Sequence, residues 1–178
     1  MLELGRPDEA RADLDRIMAG GLDAFPRDAN WLIAMTLLAE VCAAVGDPLR
    51  AEELYVRLAP FANRNVVVGR AASCNGSAAR PLGQLAAAIG DWDRADEHFA
   101  DALAMHERMG ARPWTVRTQL AQAEMLLARR RRGDLVRARG ILAAAGATAA
   151  ALGMVPVAAR VAELRAGARP RQRVHAGA

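Results

Sequence analysis

Apolar positions along the chain recur as a small residue followed by large ones. Alanine stands at positions 10, 51, 95 and 138. Four residues later comes a bulky side chain, Leu14, Tyr55, Phe99 or Leu142, and seven later Ile17, Leu58, Ala102 or Ala145. Steps of four and seven return to one face of an α-helix. The pattern predicts four amphipathic helices. In each, the alanine admits a close neighbour and the larger residue fills the gap beside it. Few segments alternate with period two, so the chain reads as all-α.

Each alanine closes a hexamer: GRPDEA at 5–10, GDPLRA at 46–51, GDWDRA at 90–95 and GDLVRA at 133–138, spaced by 41, 44 and 43 residues. Periods of this length mark stacked supersecondary units. The glycine can end the preceding helix with a positive φ. Asp47, Asp91 and Asp134 stand where an N-cap accepts backbone N–H groups, and Pro7 and Pro48 suit a first helical turn. Each hexamer therefore predicts the tight turn of a helical hairpin.

The helices before these turns are also readable. One is expected over 30–45, with Trp31, Met35, Leu38, Ala39 and Cys42 inward. A second, over 68–89, carries Leu82, Gly83 and Ala86, and Pro81 predicts a break within two residues of itself. A third, over 114–130, carries Leu120, Ala121, Met125 and Leu126. The connection at 60–70 is long, and Val66–Val68 suit a plug over the hydrophobic seam. The expected organisation is one helical-repeat domain over 1–167 with turns near 5, 46, 90 and 133, then a basic, disordered tail over 168–178.

Leu82, Gly83, Gly90, Ala95, Phe99 and Ala102 resemble the tetratricopeptide repeat signature at its usual offsets. Ala39 and Leu126 depart from its small glycine, and the period exceeds the family's, about 34 residues. The longer stretch from about Ala29 to Leu164 is similar to the C-terminal helical-repeat region of large actinobacterial ATP-binding regulators, the LuxR-type transcriptional regulators and cyclase–ATPase fusions. The resemblance implies helical hairpins stacked in a right-handed superhelix, and a non-catalytic regulatory module in the cytoplasm. Its partner would be a protein or peptide, such as an upstream ATPase or DNA-binding module. Only four residues precede GRPDEA, so the chain is expected to be a detached C-terminal piece of such a regulator. An exposed apolar surface at that incomplete hairpin would point to a homodimer or to a missing upstream segment. The concave side would be built from the first helix of each hairpin, with Asn75, Arg80, Gln84, Arg117, Gln119 and Gln122 as the partner-binding candidates.

Composition narrows the chemistry. All 24 basic residues are arginine, as a GC-rich coding sequence favours. No lysine is present for a nucleotide phosphate loop or a Schiff base, and no cofactor is expected. Cys42 and Cys74 form no CxxC pattern and read as thiols in a reducing compartment. Residues 141–159 lack charge, but alanine, Gly153 and Pro156 argue against a membrane span.

Charge is lopsided. Residues 1–128 hold 13 Arg against 18 acidic residues, and residues 129–178 hold 11 Arg against two. Arg129, Arg130, Arg131 and Arg132, with RPRQR at 169–173, give an alternative reading as a site for nucleic acid or an acidic partner. Aromatic residues for base stacking are not interleaved with them. His98 and His106 are eight apart and HERMG lacks a second histidine, so packing roles are expected rather than metal binding. Asp91, Asp93, Asp96, Glu97 and Asp101 read as a helix start and a solvated face. Trp31, Trp92 and Trp114 are candidates to line a binding surface, although Trp92, at a helix start beside charged residues, reads rather as an inter-repeat packing residue. A hydrolase is disfavoured, since no serine or cysteine has a histidine at an informative spacing.

Overall fold

A computed structural model describes residues 6–69 and 72–168. Among them are eight α-helices and one two-stranded antiparallel sheet. The helices are α1 (Pro7–Ile17), α2 (Trp31–Val45), α3 (Pro48–Leu58), α4 (Ala79–Ala88), α5 (Trp92–Arg108), α6 (Arg112–Arg129), α7 (Asp134–Ala151) and α8 (Val155–Gly167). The strands β1 (Asn65–Val68) and β2 (Ser73–Ser77) lie between α3 and α4. Each helix packs on the next in sequence, and α2 also packs on α4, α4 on α6 and α6 on α8. The first helices of the hairpins thus form a row. The fold is mostly helical, and no helix among the described residues is long and apolar enough to cross a membrane.

The small–large pattern sits in the core. Ala51, Ala95, Ala138, Phe99 and Leu142 are fully buried, and Ala10 and Leu14 nearly so. A Cβ on Gly83 would lie 2.8 Å from the Phe99 ring, so α4 approaches α5 too closely there for a side chain. Ile17 departs from the pattern, being 51% exposed. The helix stops at Ile17 and the chain turns, so Met18 and Leu22 face inward in its place.

Two large apolar clusters result, beside a smaller one around Val66. One gathers Leu14, Trp31, Met35, Ala39, Leu54, Leu58, Leu82 and Leu85. The other gathers Ala86, Phe99, Val116, Leu126, Leu142, Ala145 and Val161. Burial of each large side chain contributes about 1.5–3 kcal/mol.

The turns at 46 and 90 follow the expected chemistry. Gly46 and Gly90 have φ of 69° and 83°. Asp47 accepts the Arg50 N–H at 3.2 Å and Asp91 the Arg94 N–H at 3.3 Å. Cys42 is buried behind the first turn, its thiol donating to the Asp47 carbonyl at 3.3 Å, and burial pushes its pKa up to about 11. Asp134 is not the N-cap that its place in the hexamer predicts. It is the first residue of α7, Gly133 is the cap, and α6 already ends at Arg130 in a left-handed conformation.

The helix expected over 68–89 is replaced by the strand pair and the shorter α4. Asn65 pairs with Ser77 and Val68 with Ser73. Three consecutive valines favour the extended chain, and Gly69 and Gly76 adopt positive φ, 59° and 78°. The break at Pro81 is real, since α4 begins at Ala79 and puts the proline in its first turn. Val66 plugs a small cluster with Ile33 and Ala78. The uncharged stretch 141–159 is divided between α7 and α8 at Gly153, φ 67°. Of the expected tail, Ala168 is buried and accepts hydrogen bonds from Arg139. RPRQR lies outside the described residues.

Candidate interaction surface

The strand β2 needs partners for its backbone on the side away from β1, and α5 and α6 supply them. His106, in the last turn of α5, is fully buried and its Nε2 accepts the Ser77 N–H at 2.8 Å. Its Nδ1 therefore carries the proton and donates to Thr118 Oγ1 at 3.3 Å, which donates in turn to the Trp114 carbonyl at 3.0 Å. The Trp114 indole N–H donates to the Cys74 carbonyl at 3.1 Å. Gly76 lies so close that a Cβ would sit 2.7 Å from His106 Nε2 and 3.0 Å from the Trp114 ring. Burial, and then the charge of Arg80, lowers the His106 pKa to about 4. A general base at neutral pH is best poised near 7. His106 instead stays neutral and wedges the strand against two helices.

Arg80 lies beside this wedge with 5% of its side chain exposed. Its guanidinium donates to Glu40 Oε1 of α2 at 2.5 Å and to Gln84 Oε1 at 3.4 Å. It also lies 5.3 Å from the centre of the Trp114 ring, and the Arg117 guanidinium lies 5.7 Å from it. Arg80 Nε has no hydrogen-bond partner among the described residues. Glu40, Arg80, Gln84, Trp114 and Arg117 thus form one charged–aromatic constellation across α2, α4 and α6. It offers cation–π contacts, amide and carboxylate hydrogen bonds and a fixed positive charge.

Of the six partner-binding candidates, Arg80, Gln84 and Arg117 are brought together. Arg80 and Gln122 are buried and do not present themselves as surface. Asn75 belongs to β2 and not to the first helix of a hairpin. Gln119 is half-buried on α6. Sequence reasoning missed Glu40 and the double role of Trp114. Glu40 is the only charged residue in α2, and a lone charge in an apolar helix signals a partner elsewhere.

The four-arginine run does not act as a unit. The Arg129 side chain is 6% exposed and spans Asp134 with two bonds, 2.9 and 2.8 Å, and Asp96 with a third at 2.6 Å. That hydrogen bonding holds Asp134 down to a pKa of about 2. Arg131 pairs with Asp93 at 2.7 Å and Arg137 with Asp96 at 3.4 Å. Arg130 and Arg132 are exposed. The acidic run on α5 is therefore not simply solvated: Asp93 and Asp96 hold the next turn in place. His98 packs with Tyr55, whose hydroxyl is 2.9 Å from its Nε2, and burial lowers its pKa. Trp92 packs against the second apolar cluster. Among the described residues no three His, Cys, Asp or Glu side chains gather as a metal site.

Compared with protein-family models, with curated proteins and with solved structures, the chain has no match in any of the three, so its likeness to tetratricopeptide repeats rests on the residues named above.

Proposed function

We propose that the chain is a non-catalytic protein-interaction module of tetratricopeptide-like hairpins stacked in a right-handed superhelix. Its role is regulatory, as in the LuxR-type regulators and cyclase–ATPase fusions whose C-terminal repeats it resembles. It acts in the cytoplasm and binds a peptide segment of an ATPase or DNA-binding module. The observation that carries this reading is the constellation Glu40, Arg80, Gln84, Trp114 and Arg117, set on three adjacent helices of one row. Stacked repeats use such rows as extended binding surfaces. Arginine beside tryptophan is the composition of interaction hot spots; the half-buried Trp114 and Arg117 present it, and the buried Arg80 braces it.

The test is selection of displayed random peptides on the full chain, followed by affinity measurement on an Arg117→Glu variant. The expected result is a peptide whose affinity falls about tenfold or more in the variant, at unchanged thermal stability. No selected peptide, or one indifferent to Arg117→Glu, overturns the reading. Salt-steep DNA binding lost on Arg130→Glu and Arg132→Glu would support the nucleic-acid alternative instead.

A further inference from the structure

A cleft of about 520 Å3 opens where the end of α6, the start of α7 and the end of α8 meet. It lies apart from the constellation above, and nothing said of it depends on that surface. Its walls are aliphatic: Leu126, Leu127, Leu135 and Leu164 line it. Arginines 130, 131 and 160 and Glu163 supply its polar groups. The volume falls among small-molecule sites, roughly 300–1,000 Å3.

The arginines differ. Arg131 is tied to Asp93, and Arg160 to Glu124 and Glu163. The side chain of Arg130 has no ion-pair or hydrogen-bond partner among the described residues. Its backbone is unusual too, the one non-glycine with positive φ among the described residues, at 58°. At four other helix ends this conformation falls to glycine, at 46, 90, 110 and 153. A side chain disfavours it. At 130 the chain instead places an arginine, and that arginine is one of the residues lining the cleft.

We propose that this cleft binds a small aliphatic carboxylate, its chain on the four leucines and its anion on Arg130. A carboxylate supplies the charge that Arg130 lacks, in a charge-assisted hydrogen bond beside apolar walls. An aliphatic body fits because no aromatic side chain lines the cleft.

The probe is decanoate, added below its micelle-forming concentration to the full chain and followed by the leucine methyl resonances. Saturable shifts are expected at Leu126, Leu127, Leu135 and Leu164, with decanol at least about tenfold weaker. Arg130→Gly is expected to lose decanoate at least about tenfold while melting at the same or a higher temperature, because glycine suits the left-handed position. Arg130→Gln should lose it comparably. Absence of saturable shifts overturns the proposal, including where residues 169–178 or a second copy fill the cleft. So does equal binding of decanol or decyltrimethylammonium, or wild-type affinity in Arg130→Gly.

Discussion

The turn at Gly90 and the turn at Gly133 carry hexamers of one pattern, GDWDRA and GDLVRA, yet different forces hold them. At the first, glycine takes the left-handed position and Asp91 caps the helix that follows it, all within five residues. At the second, Gly133 is still left-handed, φ 90°, but the helix already ends in a left-handed Arg130, and Asp134 accepts the Arg131 N–H at 2.7 Å from inside α7. Arg129 then binds Asp134 and Asp96 of α5 together. A motif can thus place a turn without fixing its chemistry. The first turn is local, and the second is completed by the helix packed against it.

The sharpest way to break this comparison is to remove Arg129. Arg129→Ala strands a buried Asp134 and is expected to cost about 4 kcal/mol in denaturant unfolding. A loss under about 1 kcal/mol would show that the second turn needs no more than a local cap.

Acid should separate the His106 wedge from the Arg129 turn. His106 titrates at about 4 in the fold, below its ordinary 6.5. The unfolded chain therefore takes up its proton first, and stability falls as pH drops from 6.5 towards 4, by about 3 kcal/mol at most. Asp134 is depressed from 3.8 to about 2, so its contribution is present above 3.8 and is lost only as pH falls from there towards 2. Hydrogen exchange at pH about 5 should loosen the Ser77 amide while the start of α7 keeps its protection.

Smaller changes sharpen the contrast. Gly90→Ala forces a side chain into the left-handed region and should destabilise by about 1–2 kcal/mol in thermal melts. Asp91→Ala removes a cap and should cost about 1 kcal/mol in the same assay. Arg130→Gly should go the other way, stabilising by somewhat less than about 1 kcal/mol.

Much of the fold was legible because its determinants are local. Ala51, Ala95, Ala138 and the residues four beyond them repeat at helical spacing, and Gly46 and Gly90 mark turns by themselves. The strand pair was not legible. Alanine on either side of Ser73–Ser77 suggests helix, and what holds β2 extended is an imidazole about 30 residues on and an indole about 40 residues on. The same distance hid the site. Arg80 and Gln84 stand on one helix and could be named together, but Glu40 and Trp114 join them only through packing of α2 and α6. The role of Arg129 was masked by its neighbours. Four arginines in a row read as one charge patch, while burial singles out the first.

Tyr55 packs against both apolar clusters while its hydroxyl turns to His98. Leu82 and Leu85 of α4 belong to one cluster and Ala86 to the other. The seam at 60–77, where sequence and secondary structure both change character, is therefore no mechanical boundary. A strain applied to the early hairpins would pass through that phenol ring and α4 to the late ones, so that the two halves share one fate.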